Sequence, residues 1–130
     1  MSKGLEKLIK KRRKERDKVI DEALKATIKL RNKFGKVTVL LYGSFSRGDF
    51  NLWSDIDIII ISEAFKGINP LERLELAHST LPPRFEPKCF TPEEAEFEFK
   101  KPWWNKIVEE SVVLADDYHL FDAKKKPKTV

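Results

Sequence analysis

The chain has few of the residues that build disulfides, histidine–cysteine metal sites or membrane spans. Cys89 is its only cysteine, which excludes an intrachain disulfide and favours a reducing compartment. It contains no glutamine and only two histidines, His78 and His119, which are too far apart in sequence for metal-ligand spacing. The apolar run Ile58–Ile61 is far shorter than the roughly 20 residues that cross a bilayer, and the charged start predicts no signal peptide. We therefore expect a cytoplasmic protein.

Positive charge is concentrated at the N-terminus. Residues 1–36 hold 14 Lys/Arg and 5 Asp/Glu, a net +9, whereas the remaining residues hold 12 and 16, a net −4. No apolar residue occurs from Lys10 to Lys18, so Leu5, Leu8 and Ile9 are expected to project away from the folded body. The basic segment fits two interpretations: a solvated helix face, or a surface that meets nucleic acid or an acidic protein.

The spacing of apolar residues predicts one α/β domain. Residues from Val19 to Leu30, including Leu24 and Ile28, recur at helical spacing and predict one buried stripe. β-Branched runs predict strands over 36–42, 56–61 and 84–90, the second of which is apolar on both faces and therefore central. Helices are predicted over 4–34, 44–49, 70–80, 92–100 and 103–110, whereas residues 112–114 fit either a strand or more helix.

Local signals mark the ends of these elements. Gly35 is the predicted C-cap of the first helix, Asn69 with Pro70 opens a later one, and Thr91 begins a helix with capping-box spacing. Pro87 removes a hydrogen-bond donor from the third strand, which places that strand at an edge or kinks it. The predicted plan is a basic helical extension over 1–18, a folded domain over 19–122 and a flexible basic tail over 123–130.

A candidate phosphate site follows the first strand. The strand ends at Tyr42, and a Gly43-Ser44 turn begins a short helix whose free backbone N–H groups suit an anion. Ser44 adds a hydroxyl group and Arg47 adds a fixed positive charge. These residues together predict a phosphate cradle.

A candidate metal site lies at the start of the second strand. Asp55 and Asp57 are two residues apart, so their side chains point to the same face. Two such carboxylates repel each other unless a cation lies between them, and Mg²⁺ prefers one or two carboxylates together with substrate phosphates. The alternative interpretation makes Asp55 a turn or N-cap residue and Asp57 a salt-bridged residue at a sheet edge.

These residues resemble the signature of a known superfamily. Gly43-Ser44, ten intervening residues and Asp55-Ile56-Asp57 match the pattern of the DNA polymerase β-like nucleotidyltransferases, and Arg47, Gly48 and Ser54 extend the match. The length and element order look most like the minimal nucleotidyltransferases of prokaryotes. The resemblance implies an α/β, polymerase β-like fold with a small mixed central sheet flanked by helices and a long N-terminal helix.

The resemblance also implies roles for individual residues. Asp55 and Asp57 would bind two Mg²⁺ ions, and Glu86 would be the third catalytic carboxylate and metal ligand. Glu86 departs from the Asp that is more usual in active members, and the alternative is a surface residue of the strand. The nucleotide-binding residues, which would hold the phosphates of ATP or let the backbone approach them, are Gly43, Ser44, Arg47 and Gly48.

The resemblance further implies a partner. Minimal nucleotidyltransferases are often paired with a HEPN-type ribonuclease toxin, which they neutralise as antitoxins by transferring AMP from ATP to a toxin tyrosine. Two alternatives stay open: a degenerate site that acts by binding alone, or transfer to a small molecule or nucleic acid. The domain is too short to include the acceptor-binding domain of larger superfamily members. A partner protein or a second copy would therefore supply that wall of the acceptor site, and Leu5, Leu8 and Ile9 are a candidate contact.

Aromatic residues are candidates for stacking on a base. Trp103, Trp104, Phe97 and Phe99 are expected mainly in the core or an interface, and Trp53 mainly in loop packing. Arg84 is placed two residues before Glu86 and can face the same cleft.

Overall fold

The computed structural model describes residues 2–48, 50 and 54–121, and within them four strands form one mixed sheet. In chain order the elements are α1 (Lys3–Phe34), β1 (Thr38–Tyr42), α2 (Ser44–Arg47), β2 (Ile56–Ile61), α3 (Pro70–His78), β3 (Phe85–Phe90), α4 (Pro92–Glu98), α5 (Trp104–Glu110) and β4 (Val112–Asp116). A 3₁₀ turn, Glu63–Phe65, precedes α3. The predicted tail over 123–130 and Trp53 lie outside the described residues.

The sheet has the order β3-β2-β1-β4. β1 pairs antiparallel with β2 and β4, while β2 pairs parallel with β3, and α3 makes the crossover that a parallel pair requires. The predicted central position of the second strand is confirmed, as is the edge position of β3, where Pro87 costs no ladder hydrogen bond on its open side. Residues 112–114 belong to a strand rather than to a helix.

The alternation of β2 divides the core into two layers. Ile56, Ile58 and Ile60 pack with α1 and α3 on one face of the sheet. Ile59 and Ile61 pack with α4 and α5 on the other face. Asp57 has the same parity as Ile59 and Ile61, so its side chain lies on the α4–α5 face, at the end of the strand where the apolar cover stops.

The helix ends follow the sequence signals. Gly35 has a φ of 81° and its N–H donates to the Arg31 carbonyl at 2.8 Å. Asn69 caps α3 through a hydrogen bond from Glu72 N–H, with Pro70 at the first helical position. Thr91 and Glu94 form a complete capping box at the start of α4.

The predicted buried stripe of α1 is too wide. Leu30 is fully buried, but Leu24 is 44% exposed and Ile28 is 59% exposed. At 100° per residue, Leu24 and Ile28 lie about 120° and 160° around the helix axis from Leu30, beyond the side that the sheet can cover. α1 is continuous across residue 18, so no break separates the basic extension from the rest of the helix. No helix in the described part of the chain has the length and apolar character needed to cross a bilayer.

Asp116, the last residue of β4, binds the backbone of the segment that follows this strand. Its carboxylate, which is 3% exposed, accepts hydrogen bonds from the Thr38 hydroxyl at 3.0 Å, Leu120 N–H at 2.9 Å and Phe121 N–H at 2.8 Å. Phe121 packs in the α4–α5 layer, so this carboxylate fixes the segment that completes that layer.

Replacing Asp116 by Ala should lower the free energy of unfolding by about 2–4 kcal/mol, because it leaves buried donors without an acceptor. Urea unfolding followed by circular dichroism measures the loss. The control is Lys25→Ala, which removes a largely exposed pair with Asp21 and should cost less than about 0.5 kcal/mol. Equal losses in the two variants would contradict this role for Asp116.

Candidate functional site

A single helical turn, α2, follows the first strand. Gly43 enters it with a φ of 80°, and Gly48 leaves it with a φ of 85°, in the left-handed region that favours glycine. The Ser46 hydroxyl donates to the Gly43 carbonyl at 2.8 Å, and Gly48 N–H donates to the Ser44 carbonyl at 2.8 Å. Gly48 therefore acts as the C-cap of α2, and it does not line the cleft described below.

Arg16 attaches α1 to this turn. Its guanidinium donates to the Phe45 carbonyl at 3.1 Å and to the Ser46 carbonyl at 3.0 Å, which satisfies carbonyls at the end of α2. Arg16 lies within the charged segment that has no apolar residue, so no periodicity distinguishes it from its neighbours. The basic segment of α1 thus contacts the candidate site through Arg16.

The register of the sheet brings the Gly-Ser turn and the acidic residues together. Asp57 pairs with Tyr42 on β1, the residue before Gly43, and with Glu86 on β3. A Cβ added to Gly43 would overlap the Asp57 carboxylate, with Cγ only 3.2 Å away. Only glycine allows the backbone of the turn to approach Asp57 this closely.

The electrostatics of Asp57 reflect its acidic neighbours. Burial raises the pKa of the Asp57 carboxyl above its ordinary value of 3.8, and the charges of Asp55 and Glu86 raise it further, against a smaller opposing effect of Lys88 and Arg47. Burial and the Asp57 charge in turn raise the pKa of the Tyr42 phenol, so its hydroxyl stays neutral at physiological pH. Asp57 therefore interacts with both of the other predicted carboxylates.

The chemistry of this donor set fits a hard divalent cation. In residues 2–48, 50 and 54–121, no three His, Cys, Asp or Glu side chains are gathered closely enough to hold a metal ion by themselves. Mg²⁺ does not need such a cage, because it binds through one or two carboxylates together with substrate phosphates and water. A cation at Asp57 would offset the burial and the repulsion by Asp55 and Glu86 that together raise the pKa of this carboxyl.

An open cleft of about 620 Å³ extends from these residues. One wall carries four of the predicted site residues, namely Gly43, Ser44, Arg47 and Asp57, together with Tyr42. The opposite wall is α5 with the residue before it, through Trp103, Lys106, Ile107 and Glu110. Asp55 and Glu86 do not line the cleft, but their charges raise the pKa of Asp57, which does line it.

The sequence pointed to the α5 wall only through Trp103, one of the candidates for stacking on a base. Lys106 and Glu110 have ordinary (i, i+4) spacing for a helical charge pair, which carries no signal for a ligand site. Trp103 is 61% exposed and Phe97 is 73% exposed, so neither belongs to the core, and the alternative expectation of an interface stays a prediction. Trp104 and Phe99 do pack in the α4–α5 layer, as expected.

Arg84 and Cys89 both have roles outside the cleft chemistry. Arg84 donates to the Ser54 carbonyl at 3.0 Å and stacks 5.1 Å from the Phe45 ring centroid, so it fixes the residue before Asp55 instead of facing the cleft. Burial raises the pKa of the Cys89 thiol to about 12, so it is protonated at neutral pH and is a poor nucleophile.

Replacing Asp57 by Asn should stabilise the metal-free protein at neutral pH. Because the pKa of Asp57 is raised in the folded state, its charged form costs stability, and this cost appears as the pH rises through the folded-state pKa. The difference in Tm between variant and wild type should therefore be largest near pH 7 and vanish below about pH 3.8. Differential scanning fluorimetry with EDTA measures it. Asp21→Asn, on the exposed face of α1, should give no such gain, and a destabilised Asp57→Asn would contradict the account.

Comparison with known proteins agrees with this geometry. A solved structure from Sulfolobus solfataricus, described as a candidate nucleotidyltransferase, superimposes with a TM-score of 0.60 at 17% sequence identity, covering 78% of this chain and 84% of the other. This similarity concerns the fold alone. No protein of curated function shows significant sequence similarity. Residues 20–130 match the family described as "Nucleotidyltransferase domain", whose members generally use divalent metals and nucleoside triphosphates. The chain therefore belongs to the nucleotidyltransferase domain family.

Proposed function

We propose that this protein transfers AMP from ATP, with Mg²⁺, to a hydroxyl group of a partner protein. The observation that carries this proposal is the cleft in which Ser44, Arg47 and Asp57 share one wall. A hydroxyl group, a fixed cation and a carboxylate at one end of a sheet are the groups that an NTP–Mg²⁺ complex requires.

In this proposal one set of residues holds the metal ions and another holds the phosphates. Asp55 and Asp57, completed by Glu86, would hold two Mg²⁺ ions, which neutralise the triphosphate and lower the pKa of the acceptor hydroxyl. Ser44 donates a hydrogen bond to a phosphate oxygen, and Arg47 supplies a fixed positive charge to the tail of the triphosphate. Gly43 keeps the backbone of the turn close to Asp57, which would let a phosphate held by the turn share an ion with the Asp57 carboxylate.

The proposed acceptor is a tyrosine of a HEPN-type toxin, which makes this protein its antitoxin. Support comes from the resemblance of the Gly43-Ser44 and Asp55-Ile56-Asp57 motif to the minimal nucleotidyltransferases. Further support comes from the cleft, which is open and gives an acceptor side chain access to Asp57. The reaction would take place in the cytoplasm.

A second candidate function is neutralisation of the partner by contact alone. It is favoured by Glu86 in place of the more usual Asp and by Pro87, which follows Glu86 directly. In that case the acidic residues would be retained without a chemical role.

The two candidates are separated by transfer of label from α-³²P-ATP, with Mg²⁺, onto a HEPN-type protein. Wild type should label the partner, and Asp57→Asn should reduce labelling by at least about 100-fold, because it removes a carboxylate that the metal needs. Phosphorimaging after gel electrophoresis gives the rate, and mass spectrometry should locate the added AMP on tyrosine.

Glu63→Gln serves as the matched control, because it removes one negative charge from an exposed residue on the 3₁₀ turn and should leave labelling unchanged. If wild type binds and inhibits the partner without labelling it, using any of the four nucleoside triphosphates, transfer is excluded and contact alone explains the activity.

A further inference from the structure

The carboxylate of Glu110 lies in the cleft close to two cations, Arg47 and Lys106. Glu110 lies on α5 with its side chain 30% exposed, and its two oxygens reach the cations on both walls. Oε2 lies 3.8 Å from Arg47 Nε, and Oε1 lies 3.9 Å from Lys106 Nζ. All three residues line the same cleft.

Helix geometry fixes this arrangement. Lys106 and Glu110 are one turn apart on α5, so they lie on the same face of the helix. Arg47 comes from the opposite wall, at the end of α2. Glu110 thus connects α5 to the Gly-Ser turn.

Both contacts are weak. The nitrogen–oxygen distances are longer than those of charge-assisted hydrogen bonds, which are about 2.7–2.9 Å. The side chains of Arg47 and Lys106 are 44% and 85% exposed, so solvent screens the attraction. Pairs of this kind contribute little to stability, and a more highly charged anion can displace the carboxylate at low cost.

A nucleoside triphosphate is such an anion. Its tail carries several negative charges and would meet Arg47 from one wall and Lys106 from the other. A carboxylate that stays between these cations would repel the incoming phosphates, because like charges within a few ångströms are unfavourable. The same two cations would bind the phosphates more strongly once Glu110 had moved away.

We propose that Lys106 binds the triphosphate tail opposite Arg47, and that Glu110 is a competing carboxylate that occupies these two cations until the triphosphate displaces it. This inference rests on the proposed function, because it assigns the substrate's phosphates to this cleft. It adds a residue that lowers affinity: Glu110 weakens nucleotide binding and thereby favours release of pyrophosphate after transfer.

The test is calorimetric titration with MgATP and, separately, with Mg-tripolyphosphate, without any acceptor. Glu110→Gln keeps the shape of the side chain and removes its charge, so it should bind both ligands about two- to fivefold more tightly than wild type. Lys106→Gln should bind them more weakly by a similar factor. The gain from Glu110→Gln should shrink in 0.5 M KCl, where charges are screened within a few ångströms.

The matched control is Glu109→Gln, which makes the same charge change on the neighbouring residue outside the cleft and should leave both affinities at the wild-type value. Unchanged or weaker binding by Glu110→Gln, while wild type binds MgATP, would overturn the inference and leave the proposed function intact. Absence of MgATP binding by wild type would overturn both.

Discussion

The site depends on the register of β2 between its two neighbours. Antiparallel pairing with β1 sets Asp57 opposite Tyr42, and parallel pairing with β3 sets it beside Glu86. A shift of one residue would turn Asp57 into the α1–α3 layer, where it would meet fully apolar neighbours. Isoleucines lie on both faces of β2 and would fill both layers in either register, so the cost of burying the Asp57 carboxylate is what opposes that shift. The position of Asp57 is thus fixed by the need to keep its charge out of the α1–α3 layer.

This register disfavours the ionised form of Asp57. Asp57 is half-buried and lies near two other carboxylates, and the turn at Gly43 brings the backbone against it. The α5 wall adds Glu110 on the other side of the cleft, close to Arg47 and Lys106. In the absence of substrate the cleft therefore holds excess negative charge near Asp57 and paired charges near α5. On the proposed function, a metal–triphosphate complex would complement this distribution, with Asp57 holding the cation and with Arg47 and Lys106 holding the phosphates.

Much of the fold could be predicted because local signals and periodicity agree. Ile56–Ile61 is apolar on both faces and is central, and Pro87 marks the edge strand. Asp55 and Asp57 could be placed on one face because they share a parity, whereas Glu86, which the register sets beside Asp57, was expected there only from the family resemblance. Side-chain exposure on α1 and α5 could not be predicted, since it depends on which side of each helix meets the sheet. Leu24 and Ile28 extend the helical pattern but lie outside that contact, and Trp103 is exposed beside a cleft whose second wall has no sequence motif.

The central claim, that this register builds a metal–nucleotide site at Asp57, is tested most directly by electron paramagnetic resonance of Mn²⁺ with a non-hydrolysable ATP analogue. The account predicts that wild type binds Mn²⁺, that Asp57→Asn weakens this binding by more than about tenfold, and that Glu86→Gln weakens it less. If Asp57→Asn binds Mn²⁺ as tightly as wild type in the presence of the nucleotide, the acidic residues do not form the metal site and the account is wrong.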